Sequence, residues 1–133
     1  MSQSDSKAVA RRYFDERWNK RNLDVIDELV ADDFFTSADD REEFKEWHRS
    51  VLAAFSEHRL TMDDLIEEGE KVLVPFAVTG VLQTPYEGVG SPGERVEYGG
   101  FALLRIVDGK VVDDTAYSEG FGSVLLGQTY QPE

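Results

Sequence analysis

The spacing of apolar residues changes halfway along the chain, and this change constrains the fold more than any other feature. In the first half, apolar side chains recur every three or four positions, which is typical of helices with one buried face. In the second half they alternate, which is typical of strands. We predict helices over 4–20, 23–30 and 41–56. We predict strands over 58–68, 71–82, 94–107 and 110–118. Helices that precede a run of antiparallel strands indicate an α+β domain.

The predicted sheet carries apolar residues on both faces. Asp108-Gly109, between the last two strands, is a strong signal for a two-residue hairpin. In strand 71–82, Val72 faces one side and Leu73 the other, and apolar residues continue along both faces. Helices can cover one of these faces. The other face therefore lines a pocket or forms an interface.

The composition excludes several classes of protein. The chain has 133 residues, which suits one domain over 1–133 with a single core. Its formal net charge of -13 argues against a nucleic-acid partner, because phosphate recognition needs cationic side chains. The chain has no cysteine, which excludes disulfides, thiolate nucleophiles and cysteine-bound metals. No apolar run is long enough to span a bilayer and no secretory leader is visible, so we expect a cytoplasmic protein without a membrane partner.

The acidity admits two interpretations. Acidic residues are spread along the chain, often in adjacent pairs such as Asp32-Asp33 and Glu67-Glu68. Such a surface resembles that of proteins from salt-loving organisms, where dissolved salt screens the repulsion between like charges. The alternative is an ordinary acidic cytosolic protein. Under both interpretations most of the charge lies at solvated positions, and the exception is Glu119 with Asp113 and Asp114 nearby.

Four segments of the chain resemble a known protein family. They are 9–24, 29–34, 64–72 and 104–113. The last segment reads Leu-Arg-Ile-Val-Asp-Gly-Lys-Val-Val-Asp and is similar to a signature of the nuclear transport factor 2-like superfamily. Taken in order, the segments resemble the SnoaL-like polyketide cyclases of that superfamily.

The resemblance implies a fold, an assembly and a chemistry. The implied fold is a cone, in which three N-terminal helices pack on a curved, mostly antiparallel sheet that encloses a deep pocket. Members of the family are commonly dimers through the open sheet face, so we expect a homodimer. In the cyclases an Asp near the end of the last strand serves as acid and base during an intramolecular aldol closure.

Three residues at the end of the last predicted strand are the candidate catalytic residues. By the resemblance, Glu119 stands where the family has its Asp, Tyr117 matches a family Tyr, and Asp114 replaces a family His. Strand alternation places Glu119 on the same face as Tyr117, and we expect that face to line the pocket. A carboxylate in an apolar pocket has a raised pKa, which suits general acid and base catalysis. The alternative is that Glu119 is solvated at the strand end.

Aromatic and histidine side chains are the candidate ligand contacts, although core packing explains most of them equally well. The candidates are Tyr13, Trp18, Trp47, His48, Tyr98 and Phe101. His48 lies on the apolar stripe of the third helix, where a core histidine is favoured over a catalytic one. His58 is expected to be exposed. Two histidines without the His-Glu-x-x-His spacing predict no metal site, and no cofactor is expected.

Three functions remain open from the sequence. The first is binding of a small hydrophobic molecule in an apolar pocket, with cyclase-like or isomerase-like proton transfer on a ketone, ester or lactone. The second is the same pocket without turnover, and the third is a dimeric protein-interaction module. The family's histidines are replaced here, which favours binding alone, whereas the retained carboxylate favours an enzyme.

Overall fold

The computed structural model describes residues 3–35 and 37–126, and its helices fall in the predicted first half, with one addition. The helices are Gln3–Phe14 (α1), Asp24–Leu29 (α2), Ala38–Ala53 (α3) and Phe121–Leu125 (α4). A π-helical turn, Asp15–Asn19, continues α1, and a short 3-10 turn, Asp32–Phe34, follows α2. The three predicted helical regions are therefore confirmed. The short α4 was not predicted.

The third helix begins at Ala38 instead of the predicted Arg41. Its N-cap is Ser37, whose side-chain oxygen accepts a hydrogen bond of 3.1 Å from the Asp40 backbone N–H. Asp39 and Asp40 do not cap the helix, because both residues lie inside its first turn. Carboxylates in a first turn still favour the helix, since they lie near the positive end of its dipole.

The second half of the chain forms one open antiparallel sheet. The strands are Phe55–Met62 (β1), Ile66–Glu68 (β2), Lys71–Leu82 (β3), Arg95–Val107 (β4) and Lys110–Ser118 (β5). Their order is β1-β3-β4-β5, and β2 also pairs with β3. The predicted strand 58–68 is divided into β1 and β2, both of which pair with β3. The other predicted strands agree with the structure, and the predicted α+β arrangement is confirmed.

The buried apolar residues form one cluster between the helices and the inner face of the sheet. Val74 of β3 and Leu104 of β4 are fully buried in it, as are Tyr13 of α1 and Ile26 of α2. The predicted single domain over 1–133 includes residues outside the described part of the chain, so its bounds stay a prediction. Among the described residues, no helix is both long and apolar enough to cross a bilayer.

Candidate functional site

A cavity of about 500 Å³ is lined by residues of both the helices and the sheet. Cavities of this size are typical of small-molecule sites. Its apolar lining residues include Phe14, Trp18, Phe44, Trp47, Leu60, Phe76, Val78, Ala116 and Leu125. Arg17, His58, Tyr98, Asp114 and Ser118 supply polar groups to the same wall. No three His, Asp or Glu side chains in the described ranges are grouped as ligands for a metal ion.

The side chains that we predicted to face the cavity at the end of β5 face solvent instead. Asp114, Ala116 and Ser118 line the cavity, whereas Tyr117 is 50% exposed and Glu119 is exposed beyond the end of the strand. Tyr117 lies on the outer face of the sheet, and Glu119 follows the last residue of the strand. The expectation that these two residues face the pocket is therefore wrong. Asp114 is the candidate catalytic residue that lies in the cavity.

Pairing with β4 decides which face of β5 is buried. Leu104 of β4 is fully buried and pairs with Asp114. Residues paired across an antiparallel ladder point to the same face, so Asp114 points inward with Leu104. Phe101 pairs with Tyr117, is 43% exposed and lies with its ring 5.2 Å from that of Tyr117. The prediction of Phe101 as a pocket residue is wrong for the same reason.

Asp114 is a carboxylate whose side chain is 11% exposed, and it has two polar contacts to the region where α1 continues into the π turn. The Tyr13 hydroxyl donates a hydrogen bond of 2.8 Å to its Oδ2, and Arg17 Nη1 lies 3.7 Å from the same oxygen. Burial raises the pKa of Asp114, although the Arg17 charge and the Tyr13 hydrogen bond partly oppose the effect. A carboxyl group with a raised pKa in an apolar cavity is suited to taking and returning a proton.

Arg17 is a functional candidate that we did not single out from the sequence. Its side chain is 3% exposed and is placed in the cavity wall by the π turn after α1. Aromatic rings surround its guanidinium, with Cζ at 4.3 Å from the Tyr13 centroid, 5.2 Å from Phe44 and 5.5 Å from Phe14 and Trp18. The sequence contained a signal for this role, because Arg17 is a charged residue at a position that the helical spacing of apolar residues predicts to be buried.

Two histidines contact Trp18 at the base of the cavity wall. His48 is fully buried with its ring centroid 3.9 Å from that of Trp18, and the ring of His58 lies 5.3 Å from Trp18. His48 is not a lining residue of the cavity, whereas His58 is, so the expectation that His58 is exposed is wrong. Burial, aided by the Arg17 charge, lowers the pKa of His48 to about 2. Burial and the Arg21 charge lower the pKa of His58 to about 4.

We predict that His48→Leu makes the free energy of unfolding less sensitive to acid. His48 has a lower pKa in the folded chain than in the unfolded chain, so below about pH 6.5 the unfolded chain binds the extra proton. Between about pH 7 and pH 5 this linkage costs the wild type about 2 kcal/mol, which the variant should not lose. Urea unfolding at several pH values measures the difference. Equal pH dependence in the two proteins would contradict the prediction.

The remaining predicted ligand contacts have different positions relative to the cavity. Trp18 and Trp47 line it, and Trp47 Nε1 donates a hydrogen bond of 3.0 Å to the Leu125 carbonyl, which holds α4 over the cavity. Tyr98 also lines it, with its hydroxyl 3.4 Å from His58 Nε2, and burial raises the pKa of Tyr98. Tyr13 is fully buried behind Asp114 and is not a lining residue.

Comparison with protein families agrees with this architecture. The family model for SnoaL-like polyketide cyclases matches residues 8–123. The chain belongs to the SnoaL-like polyketide cyclase family. The resemblance read from the four sequence segments is therefore confirmed, together with the nuclear transport factor 2-like fold that it implied.

Solved structures of the same fold carry different assigned activities. AclR from Streptomyces galilaeus, assigned as a hydroxylase, is 25% identical, with 98% of this chain and 89% of AclR covered and a TM-score of 0.77. A protein from Jannaschia sp. CCS1, assigned as a SnoaL-like polyketide cyclase, is 22% identical, with 99% and 98% covered and a TM-score of 0.77. IdmH from Streptomyces antibioticus, assigned as a polyketide cyclase, is 23% identical, with 96% and 98% covered and a TM-score of 0.70. A search of curated proteins found no match. Membership of the SnoaL-like family therefore leaves the reaction to be argued from the cavity.

Proposed function

We propose that this SnoaL-like protein binds a small, largely apolar ketone in its cavity and that Asp114 moves a proton on the bound molecule. The observation that carries the proposal is the placement of a carboxylate with a raised pKa in a mainly apolar cavity. Carboxyl groups with a raised pKa in a cleft cluster at functional sites, and the ion pair with Arg17 offsets part of the cost of burying this one.

The proposed chemistry begins with Asp114 as a base. Its carboxylate takes a proton from the carbon next to the carbonyl, and the electron pair of that C–H bond moves to the carbonyl oxygen to form an enolate. If the ketone has a β,γ double bond, the enolate extends over that bond, and return of the proton from Asp114 to the γ carbon isomerises the ligand. If the enolate carbon instead attacks a second carbonyl of the same molecule, a C–C bond forms and the new alkoxide takes the proton from Asp114, which closes a ring.

The neighbours of Asp114 support this role by holding it in one position. The Tyr13 hydroxyl is fully buried and donates to Asp114 Oδ2, which fixes the orientation of the carboxyl group. Tyr98 and Ser118 line the same cavity with hydroxyl groups, and the Ser118 hydroxyl also donates a hydrogen bond of 2.6 Å to the Gly99 carbonyl. Burial raises the pKa of Tyr98, so its hydroxyl stays protonated and able to donate to a ligand oxygen.

Deuterium exchange into a simple enolisable ketone tests the proposal. We expect the protein to accelerate exchange at the carbons beside the carbonyl of β-tetralone in D₂O, as followed by NMR, compared with buffer at the same pH. Stabilisation of the protein by β-tetralone in a thermal-shift measurement reports binding separately. Stabilisation without accelerated exchange would contradict the catalytic part and favour a binding protein without turnover.

A second proposal concerns the outer face of the sheet, which we propose is covered by a second copy of the chain. Exposed and half-buried apolar side chains lie next to one another on this face, because they fall in two rows of paired residues across the strands. One row is Ile66, Leu73 and Leu103, and the other is Pro75, Phe101 and Tyr117. Exposed apolar patches of this kind mark interaction surfaces.

We predict that Phe101→Asp converts the dimer to a monomer. Phe101 lies in β4, between Pro75 and Tyr117 in the second row, and is 43% exposed. The variant therefore keeps the fold of the monomer but places a carboxylate in the proposed interface. Light scattering after size-exclusion chromatography should give twice the chain mass of 15.0 kDa for the wild type and the single mass for the variant. Val89→Asp is a matched control, because Val89 is 40% exposed but lies in the loop between β3 and β4. A monomeric wild type would contradict the proposal.

A further inference from the structure

Arg17 is a charged group of the cavity wall, and two of its nitrogen atoms lack a hydrogen-bond partner among the described residues. Its side chain is 3% exposed, and the two atoms are Nε and Nη1. The nearest carboxylate oxygen, Oδ2 of Asp114, lies 3.7 Å from Nη1, which is an ion pair but too long for a hydrogen bond. The rings around the guanidinium attract its charge but offer no acceptor oxygen.

An arrangement of this kind is costly unless a ligand completes it. A guanidinium has five N–H donors and keeps its charge in proteins, so burial without acceptors loses hydrogen bonds that water would supply. Asp114 Oδ2 accepts from the Tyr13 hydroxyl and lies 3.7 Å from Arg17 Nη1, so Asp114 is a charge partner of Arg17 but not a hydrogen-bond acceptor for Nη1. The cavity is the open side of this site, because Arg17 and Asp114 both line it.

We propose that Arg17 is a catalytic residue that hydrogen-bonds the ligand oxygen on which negative charge develops, so that the cavity selects ligands in their enolate form. The inference rests on the proposed function, since it uses the same cavity and the same proton acceptor. When the proton moves to Asp114, the negative charge moves from the carboxylate to the ligand oxygen. Arg17 balances the charge of the Asp114 carboxylate before the proton moves and the charge of the enolate oxygen after it has moved. The N–H groups of Arg17 that lack a partner donate hydrogen bonds to that oxygen once it is negative.

Charge balance adds a consequence for ligands that are already enolates in solution. Arg17 faces both the Asp114 carboxylate and the bound enolate, and its single positive charge balances only one of them. An enolate should therefore bind together with one proton, which Asp114 takes up. The other titratable groups around the site are Tyr13, His48, His58 and Tyr98. Burial lowers the pKa of both histidines and raises the pKa of both tyrosines, so these four are neutral near neutral pH before and after binding.

Dimedone and its methyl enol ether test the inference with one pair of probes. Dimedone is an enolate at neutral pH, and the ether has nearly the same shape without the charge. The chain has no cysteine, so oxidised thiols that react with dimedone are absent. We expect isothermal titration calorimetry to show that dimedone binds at least about tenfold more tightly than the ether, as for a charge-assisted hydrogen bond. Titrations in buffers of different ionisation enthalpy should show uptake of about one proton per dimedone bound.

Variants separate Arg17 from its surroundings. Arg17→Gln should remove the preference for dimedone, whereas Arg12→Gln, which removes an exposed cation from the same helix, should keep it. Asp114→Asn should keep or strengthen dimedone binding and abolish the proton uptake, because the competing negative charge is gone. If Arg17→Gln does not fold, the relative affinity of the wild type for dimedone and the ether still tests the inference.

The outcomes distinguish this inference from the proposed function. Equal affinity of the wild type for dimedone and the ether overturns the role of Arg17, and binding of neither probe overturns it as well. Accelerated exchange of β-tetralone would in either case leave the proposed function of Asp114 standing. Preference for dimedone without any exchange would support Arg17 as an anion-binding group and contradict the proton transfer.

Discussion

Asp114→Asn is expected to lower the protein-catalysed rate of deuterium exchange into β-tetralone by about 10²–10⁴-fold, the range that a positioned acid or base contributes. An amide cannot take the proton, but it keeps the size of the carboxyl group and can still accept from the Tyr13 hydroxyl. The cavity should therefore keep its shape. Exchange rates followed by NMR, with the thermal unfolding midpoint as a check on folding, measure the effect.

Glu119→Gln is the matched control for this prediction. Glu119 is the carboxylate that we predicted, from the resemblance, to stand where the family has its Asp, and it is exposed beyond the end of β5. Removing its charge should leave the exchange rate close to that of the wild type. A large loss in Glu119→Gln with little loss in Asp114→Asn would show that the wrong carboxylate has been assigned.

Gly100→Ala is expected to lower the free energy of unfolding by about 3 kcal/mol or more. Gly100 lies in β4 opposite Ser118 of β5, and a Cβ atom at this position would be 1.9 Å from the backbone carbonyl oxygen of Tyr117. A backbone atom cannot move aside as a flexible side chain can, so β5 would have to shift away from β4. Because β5 brings Asp114 into the cavity, the variant should also weaken ligand binding.

Gly99→Ala provides the comparison for Gly100→Ala at the adjacent position. There a Cβ atom would lie 3.0 Å from the Phe76 carbonyl oxygen, which is tight but needs a shift of only a few tenths of an ångström. We expect a cost of about 1 kcal/mol. Urea unfolding monitored by tryptophan fluorescence measures both variants. A cost at Gly100 no larger than that at Gly99 would refute the close approach of the two strands.

The elements of the fold could be predicted because their signals are local. The hairpin at Asp108-Gly109 and the alternation along β3 and β5 depend on neighbouring residues, and these strands end where they were predicted to end. The division of 58–68 into β1 and β2 was missed because both strands pair with the same partner, which is a property of the sheet and not of the segment. The start of α3 was missed by a turn, since Ser37 competes with two aspartates as a cap.

The candidate site could be predicted only in part. Asp114, Trp18, Trp47 and Tyr98 were selected and line the cavity, whereas Phe101 and the other two catalytic candidates were placed on the wrong face. The error has one cause. Both faces of β4 and β5 carry bulky residues, so alternation shows which side chains share a face but not which face is buried.

The sequence by itself determined the family and the division into a helical first half and a stranded second half, because both depend on residue type and short-range spacing. The tertiary structure decided which carboxylate lies in the cavity, since the pairing of Asp114 with the buried Leu104 turns it inward and leaves Glu119 in water. It also decided the environment of Arg17. Four rings and one carboxylate from three parts of the chain meet around this cation, and a contact between Asp114 and a residue far away in sequence has no local signal.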